Sequence, residues 1–186
     1  MDVHLIRHPK TVAPGGTCYG SLDLEPDPKH LAADAARLAP AIPAGARFLC
    51  SPQRRARALA EALAGGTVAT DDRLVEMNFG AWEGRQWGDL PRDEIDAWAQ
   101  DIGGYTPPGG ESVEAMAARV LDGWHSIEIE NTPLVIVSHG GPLRLIAAHV
   151  TGSTPAKSMA FEIQWGNRAL IWHNPGRTVL AGWNLR

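Results

Sequence analysis

Two short apolar runs, VHLIR at residues 3–7 and PLVIVSH at 133–139, each deliver a histidine at their end, and the chain then breaks away through proline or glycine. Runs of this length, rich in Val, Ile and Leu and stopped by Pro or Gly, predict short buried strands. ARFLCS (46–51) predicts another, and a short strand opens TVATDD (67–72). Helical spacing fills the intervals. PKHLAADAARLAPAI (28–42) begins with Pro28 in its first turn, PQRRARALAEALAGG (52–66) is closed by Gly65 and Gly66, and VEAMAARVLDGWHSI (113–127) is capped by Ser112. GGPLRLIAAHVTG (140–152) follows the second histidine directly, and PRDEIDAWAQ (91–100) is a helical insert. The tail predicts a hairpin over FEIQWGNRALIWHN (161–174), turned at Gly166-Asn167, and one more strand in TVLAGWNL (178–185). Strands alternate with helices, so the fold class is α/β, with a mostly parallel sheet covered on both faces. No repeat or linker divides residues 1–186, which reads as one domain.

That architecture says where to look for function. Open α/β sheets bind ligands beyond the carboxyl ends of their strands, and Arg7, His8, Ser51, Ser138 and His139 fall at such ends. With 44% apolar residues, 20% charged residues and a net charge of −4, the chain reads as a globular protein with no broad affinity for nucleic acid. No stretch approaches the ~20 apolar residues of a membrane span. Two cysteines, Cys18 and Cys50, and a start without a secretory pattern make the cytoplasm the expected location.

Five residues can converge at the sheet edge: Arg7, His8, Arg55 at the start of a helix, Glu76 in a loop, and His139 ahead of Gly140-Gly141. Arginine forks match phosphate oxygens, and a helix starting at Gly140 offers free N–H groups to an anion. A neutral histidine can attack phosphorus, while a carboxylic acid protonates the departing oxygen and later activates water. No metal or cofactor is called for if the arginines carry the phosphoryl charge. Taken singly, each residue has an ordinary reading: a hydrogen-bonded histidine at a strand end, a solvated helix face in RRAR, an exposed loop acid, a glycine pair easing a tight turn. Joint placement at one edge favours the chemical reading.

LIRHPKT, SPQRRARALA, RLVEMNFGAWEG, PGGES and VIVSHGG occur in the order seen in the histidine phosphatase superfamily, also called phosphoglycerate-mutase-like, which the chain resembles from residue 3 to about residue 152. The resemblance implies a three-layer α/β/α fold with a mixed, mostly parallel sheet. It implies His8 as the nucleophile that becomes phosphohistidine, with Arg7, Arg55 and His139 binding the phosphoryl group and Gly140 N–H assisting. Glu76 would be general acid and then general base. Three positions depart from the family pattern: Pro9 follows the nucleophile where many relatives have glycine, Pro14 replaces an asparagine, and Leu59 replaces a threonine. Thr11 is retained beside the phosphate loop. GGTCYGSLDLEPD (15–27) looks like the segment of α-ribazole phosphatases that follows the nucleophile, which brings Tyr19 and Gly20 to the pocket mouth. An aromatic nucleoside-like leaving group would stack on rings, for which Tyr19, Trp82 and Tyr105 are the candidates.

Other readings remain at this stage. Within the family these are a broad-specificity small-molecule phosphatase, a phosphoglycerate mutase or a phosphohistidine-protein phosphatase; outside catalysis, an inactive phosphate-binding module. A cysteine phosphatase fails by register, because the arginine required six residues after Cys50 is Ala56, and after Cys18 it is Leu24. No P-loop is present, and the seven histidines show no helical metal-binding spacing with acidic partners. The expected partner is a small phosphate monoester. The oligomeric state is not readable; Trp165, Trp172 and Trp183 in the tail could pack internally or against a second subunit.

Overall fold

The structure, a computed structural model, describes residues 1–128 and 130–186. Its strands are β1 (Asp2–Arg7), β2 (Arg47–Cys50), β3 (Ala69–Thr70), β4 (Leu134–Ser138), β5 (Arg168–Asn174) and β6 (Arg177–Leu185). Its α-helices are α1 (Pro28–Leu38), α2 (Arg54–Ala64), α3 (Arg92–Gln100), α4 (Val113–His125) and α5 (Gly140–Val150). The strands form one sheet in the order β3-β2-β4-β1-β5-β6. The first four run parallel, and β5 and β6 join antiparallel, so the sheet is mixed and mostly parallel.

Alternation along the strands divides the core. Val3, Leu5, Leu134, Ile136 and Ile171 pack with α4 and α5 on one face, where Met116, Val120, Trp124, Leu143 and Ile146 meet them. Ile6, Val135, Val137 and Cys50 face α1 and α2 through Leu38, Ala56, Leu59 and Ala60. β4 is buried along its whole length, as an apolar strand covered by helices on both sides must be. Asp27 caps α1 ahead of Pro28, Ser112 caps α4 by accepting from Ala115 N–H at 3.1 Å, and Gly65 ends α2 with a left-handed φ of 71°. A third cluster, Cys18, Trp82 and Leu90, anchors the long loop between β3 and α3, with Ile95 and Trp98 of α3 packed against it.

The tail departs from expectation. Residues 161–167 form no strand; the hairpin joins β5 to β6 and turns at Pro175-Gly176. Segment 161–167 is held instead by the end of β1: Gly166 N–H donates to the carbonyls of Arg7 and His8 at 3.1 and 3.2 Å, and Asn167 O accepts from Arg7 N–H at 3.0 Å. Those bonds bind the turn across the mouth of the sheet and leave it nothing to pair as a strand.

Candidate active site

Parallel register brings three strand ends to within one residue of one level. Arg7 lies opposite Ser138, so the chain leaves β1 and β4 with His8 and His139 side by side, while Cys50 lies opposite Val137 and Ser51 follows one residue short of them, beside Ser138. His8 N–H donates to Ser138 O at 2.9 Å and Ser51 N–H to Val137 O at 3.0 Å, which locks this level one residue beyond the strands. His8 and His139 are buried, with ring centroids 5.0 Å apart.

The tautomer of His8 follows from its hydrogen bond. His8 Nδ1 lies 2.6 Å from Pro9 O, and a carbonyl can only accept, so Nδ1 carries the proton and Nε2 keeps its lone pair. Ser51 Oγ accepts from Gln53 N–H at 3.3 Å and lies 2.8 Å from His139 Nε2. The Ser51 hydroxyl and His139 Nε2 share one hydrogen bond whose direction follows the His139 tautomer, and His139 Nδ1 is buried with no partner among the described residues. Burial holds His8 well below the usual imidazole range, and the Arg55 and Arg7 charges push the same way. Burial likewise lowers His139, assisted by His8, Arg55 and Arg7.

The arginines are anchored by carbonyls. Arg55, fully buried in the first turn of α2, donates from Nη1 to Leu22 O and from Nη2 to Gly20 O, both at 2.6 Å. Arg7 Nη1 donates to Ile163 O at 2.6 Å, with its guanidinium 4.7 Å from the centre of the Trp165 ring. The Nε atoms of both are buried and unpartnered among the described residues. Burial lowers both guanidinium pKa values from the usual arginine range, against the attraction of Glu76.

Glu76 stands at the N-terminus of α5: its carboxylate accepts from Gly141 N–H at 3.2 Å and from Met77 N–H at 2.9 Å. Gly141 is what admits it, since a Cβ there would lie 2.3 Å from Glu76 Oε1. The loop is held from behind. Gln53 Oε1 accepts from Glu76 N–H at 3.0 Å while its Nε2 donates to Gly20 O at 2.7 Å. Arg119 donates to the carbonyls of Arg73, Val75 and Glu76 and pairs with Glu111 at 2.6 Å.

A cavity of about 290 Å³ opens on this edge, lined by Arg7, His8, Glu76 and Gly140, and by Tyr19, whose ring lies 5.4 Å from the Arg55 guanidinium carbon. Its far wall is aromatic. Trp87 and Trp98 stack at 5.8 Å with planes 13° apart, Phe79 meets both edge-on, and Trp165 completes the rim. Such a site can hold an oxyanion against the Arg7 guanidinium and the start of α5, present the His8 lone pair to it, and offer the Glu76 carboxyl group; Arg55 and His139 are fully buried and stand behind this lining, against Tyr19 and His8 respectively.

Four expected ligand-binding residues lie elsewhere. Trp82 is fully buried among Cys18 and Leu90, stacks on Tyr105 at 5.8 Å and donates its Nε1–H to Glu94; neither ring lines the cavity. Gly20 serves through its carbonyl, which fixes Arg55, and an added Cβ would lie 1.7 Å from Met77 O. Thr11 faces a neighbouring cavity with Lys10 and Gly16, its Oγ1 accepting from Ala13 N–H. Sequence reasoning missed the positioning roles of Ser51 and Gln53 and the wall of Phe79, Trp87 and Trp98. Trp165, read as a tail residue, stands at the cavity rim. Both thiols are buried, which pushes Cys18 up to about 12 and Cys50 up to about 11.

The family model described as histidine phosphatase superfamily (branch 1) matches residues 3–186. A bifunctional protein of Mycobacterium tuberculosis is 37% identical over 84 residues, 42% of this chain and 23% of that protein. The adenosylcobalamin/alpha-ribazole phosphatase of Salmonella typhimurium is 32% identical over 132 residues, 64% of this chain and 63% of that enzyme. The matches thus span less than two thirds of either relative. The crystal structure of the alpha-ribazole phosphatase from Shigella flexneri superposes with a TM-score of 0.84 at 27% identity, covering 99% of this chain and 96% of that one.

Proposed function

The chain belongs to the histidine phosphatase superfamily, and from that premise we propose that it is a single-domain, metal-independent phosphomonoesterase working through a phosphohistidine at His8. The observation that carries this is the tautomer of His8: Nδ1 is committed to Pro9 O, so the Nε2 lone pair is free at the one place where Arg7, Arg55 and His139 can hold a phosphoryl group. In the first step Nε2 bonds to phosphorus as the ester P–O bond breaks, and Glu76 gives its proton to the departing oxygen. In the second, the Glu76 carboxylate takes a proton from water as the water oxygen bonds to phosphorus. The P–N bond then breaks, inorganic phosphate leaves, and His8 recovers its lone pair. Arg7, Arg55, His139 and the first N–H groups of α5 stabilise the charge on the phosphoryl oxygens through both steps.

The leaving group in this reading is α-ribazole, released from its 5′-phosphate. Support comes from the Phe79, Trp87 and Trp98 wall, which suits a flat aromatic base, and from the names of the Salmonella and Shigella relatives. The test is phosphate release in EDTA from α-ribazole 5′-phosphate, 3-phosphoglycerate and p-nitrophenyl phosphate, with His8→Ala alongside. A strong preference for the first, lost in the variant, is expected. Even, slow turnover of all three would remove the α-ribazole assignment while leaving the phosphohistidine. Undiminished turnover by His8→Ala would remove the mechanism.

A further inference from the structure

Away from the cavity, the last turns of α4 and α5 bring two exposed histidines together, with His125 Nε2 and His149 Nε2 3.2 Å apart. We propose that this pair is a surface site for a late first-row divalent cation, Zn2+ foremost, held by both Nε2 atoms and completed by water. Zinc sits about 2.0–2.1 Å from each imidazole nitrogen, and tetrahedral geometry then sets two such nitrogens roughly 3.3 Å apart. The pair already stands at that separation. The ring centroids are 4.9 Å apart, farther than the nitrogens, so both rings turn their Nε2 edges toward each other. Imidazole suits zinc, copper and nickel.

The scaffold beneath is rigid. His125 follows Trp124, and His149 follows Ala147 and Ala148, all buried where α4 packs on α5. Asp122, one turn before His125, is engaged by Arg73 at 2.7 Å, which leaves two histidines as the protein ligands. His149 lies nine residues along α5 from Gly140, about 14 Å at the helical rise, so the cation is separate from the phosphoryl site. It would pin together the ends of two helices that already pack on each other through their buried faces. Without metal, one N–H···N bond between neutral rings satisfies the same distance, so only a binding measurement decides.

The experiment is calorimetric titration of ZnCl2 into untagged, EDTA-stripped protein in phosphate-free buffer, with melting curves in parallel. One zinc per chain is expected, weakened at least tenfold in His125→Ala and in His149→Ala and unchanged in His30→Ala, an exposed histidine on α1 that serves as control. Zinc should raise the melting temperature of the wild type and of His30→Ala but of neither pair variant. Without zinc all four proteins should melt alike, since these side chains are exposed. No binding by the wild type, or a site that survives either pair substitution, would overturn the proposal.

Discussion

Gly141→Ala separates the role of Glu76 from the stability of the fold. Gly141 occupies helical backbone, where alanine is the better helix former by up to about 1 kcal/mol. The added Cβ would meet Glu76 Oε1 at 2.3 Å and the Met116 thioether at 3.1 Å. Both are the far ends of flexible side chains, so they give way and the backbone does not. To reach ordinary contact the carboxylate must retreat by about 1 Å, and it gives up the Gly141 N–H bond as it goes. A misplacement of about 1 Å costs on the order of 10²-fold, within the 10²–10⁴ that general acid–base catalysis supplies. We therefore expect kcat for α-ribazole 5′-phosphate to fall about 10²-fold, with melting temperature and inhibition by inorganic phosphate little changed. The loss should be smaller for p-nitrophenyl phosphate, whose leaving group departs without needing a proton, and Glu76→Gln should show the same contrast. If Gly141→Ala keeps kcat within twofold for the alkyl ester, or unfolds the protein instead, Glu76 does not act from the position seen here.

Three further outcomes follow from the geometry. Ser51→Ala removes the hydroxyl that orients His139; the loss of one hydrogen bond, about 1 kcal/mol, should lower kcat/KM roughly five- to tenfold, and normal activity would mean His139 is oriented without it. Trp87→Ala removes one side of the aromatic stack, so the preference for α-ribazole 5′-phosphate over 3-phosphoglycerate should fall about fivefold; an unchanged ratio in a kcat/KM comparison would free the wall of any part in specificity. His8 and His139 are both lowered in the folded protein, so below pH about 6.5 the unfolded chain takes up protons that the folded chain does not. Stability should fall as pH drops from about 7 toward 5, and inorganic phosphate, by offsetting the charges of Arg7 and Arg55, should shrink that fall; urea unfolding at stepped pH, flat across this range, would count against both histidines being held neutral.

What the sequence makes legible at this site is what the backbone dictates. Arg7, His8 and His139 stand within one residue of a strand end, and parallel register carries them to one level whatever the loops do. Arg55 and Glu76 were legible through motif order, which compensates for their distance along the chain. The aromatic wall was not legible, because Phe79 and Trp87 stand in a loop with no period to assign their direction and the short insert helix that carries Trp98 gives no sign of where it docks. Trp82 and Trp87 are five residues apart in the same loop, yet the turn at Gly80–Trp82 buries the first and leaves the second 36% exposed at the cavity. The tail misled for a related reason. Gly166-Asn167 has hairpin chemistry, but its hydrogen bonds go to the end of β1, and that is a tertiary fact.

The free site is costly in a way that explains its electrostatics. Arg7 Nε and Arg55 Nε are buried donors without partners among the described residues, and each such donor is worth about 1–3 kcal/mol against folding. The remaining guanidinium hydrogen bonds recorded for Arg7 and Arg55 go to carbonyls, which orient the charge without cancelling it. Among the described residues Glu76 is the one carboxylate that lines the cavity, and it is held by the Gly141 N–H at the start of α5 and by the Met77 N–H of its own loop. A site built to fold alone would have paired these cations with acids. Here the negative charge is left to be supplied from outside, and a phosphoryl group brings it together with oxygens for the idle donors. Burial first, and then the same unbalanced charge, keeps His8 neutral until that group arrives, so Arg7 and Arg55 serve both anion binding and nucleophile availability.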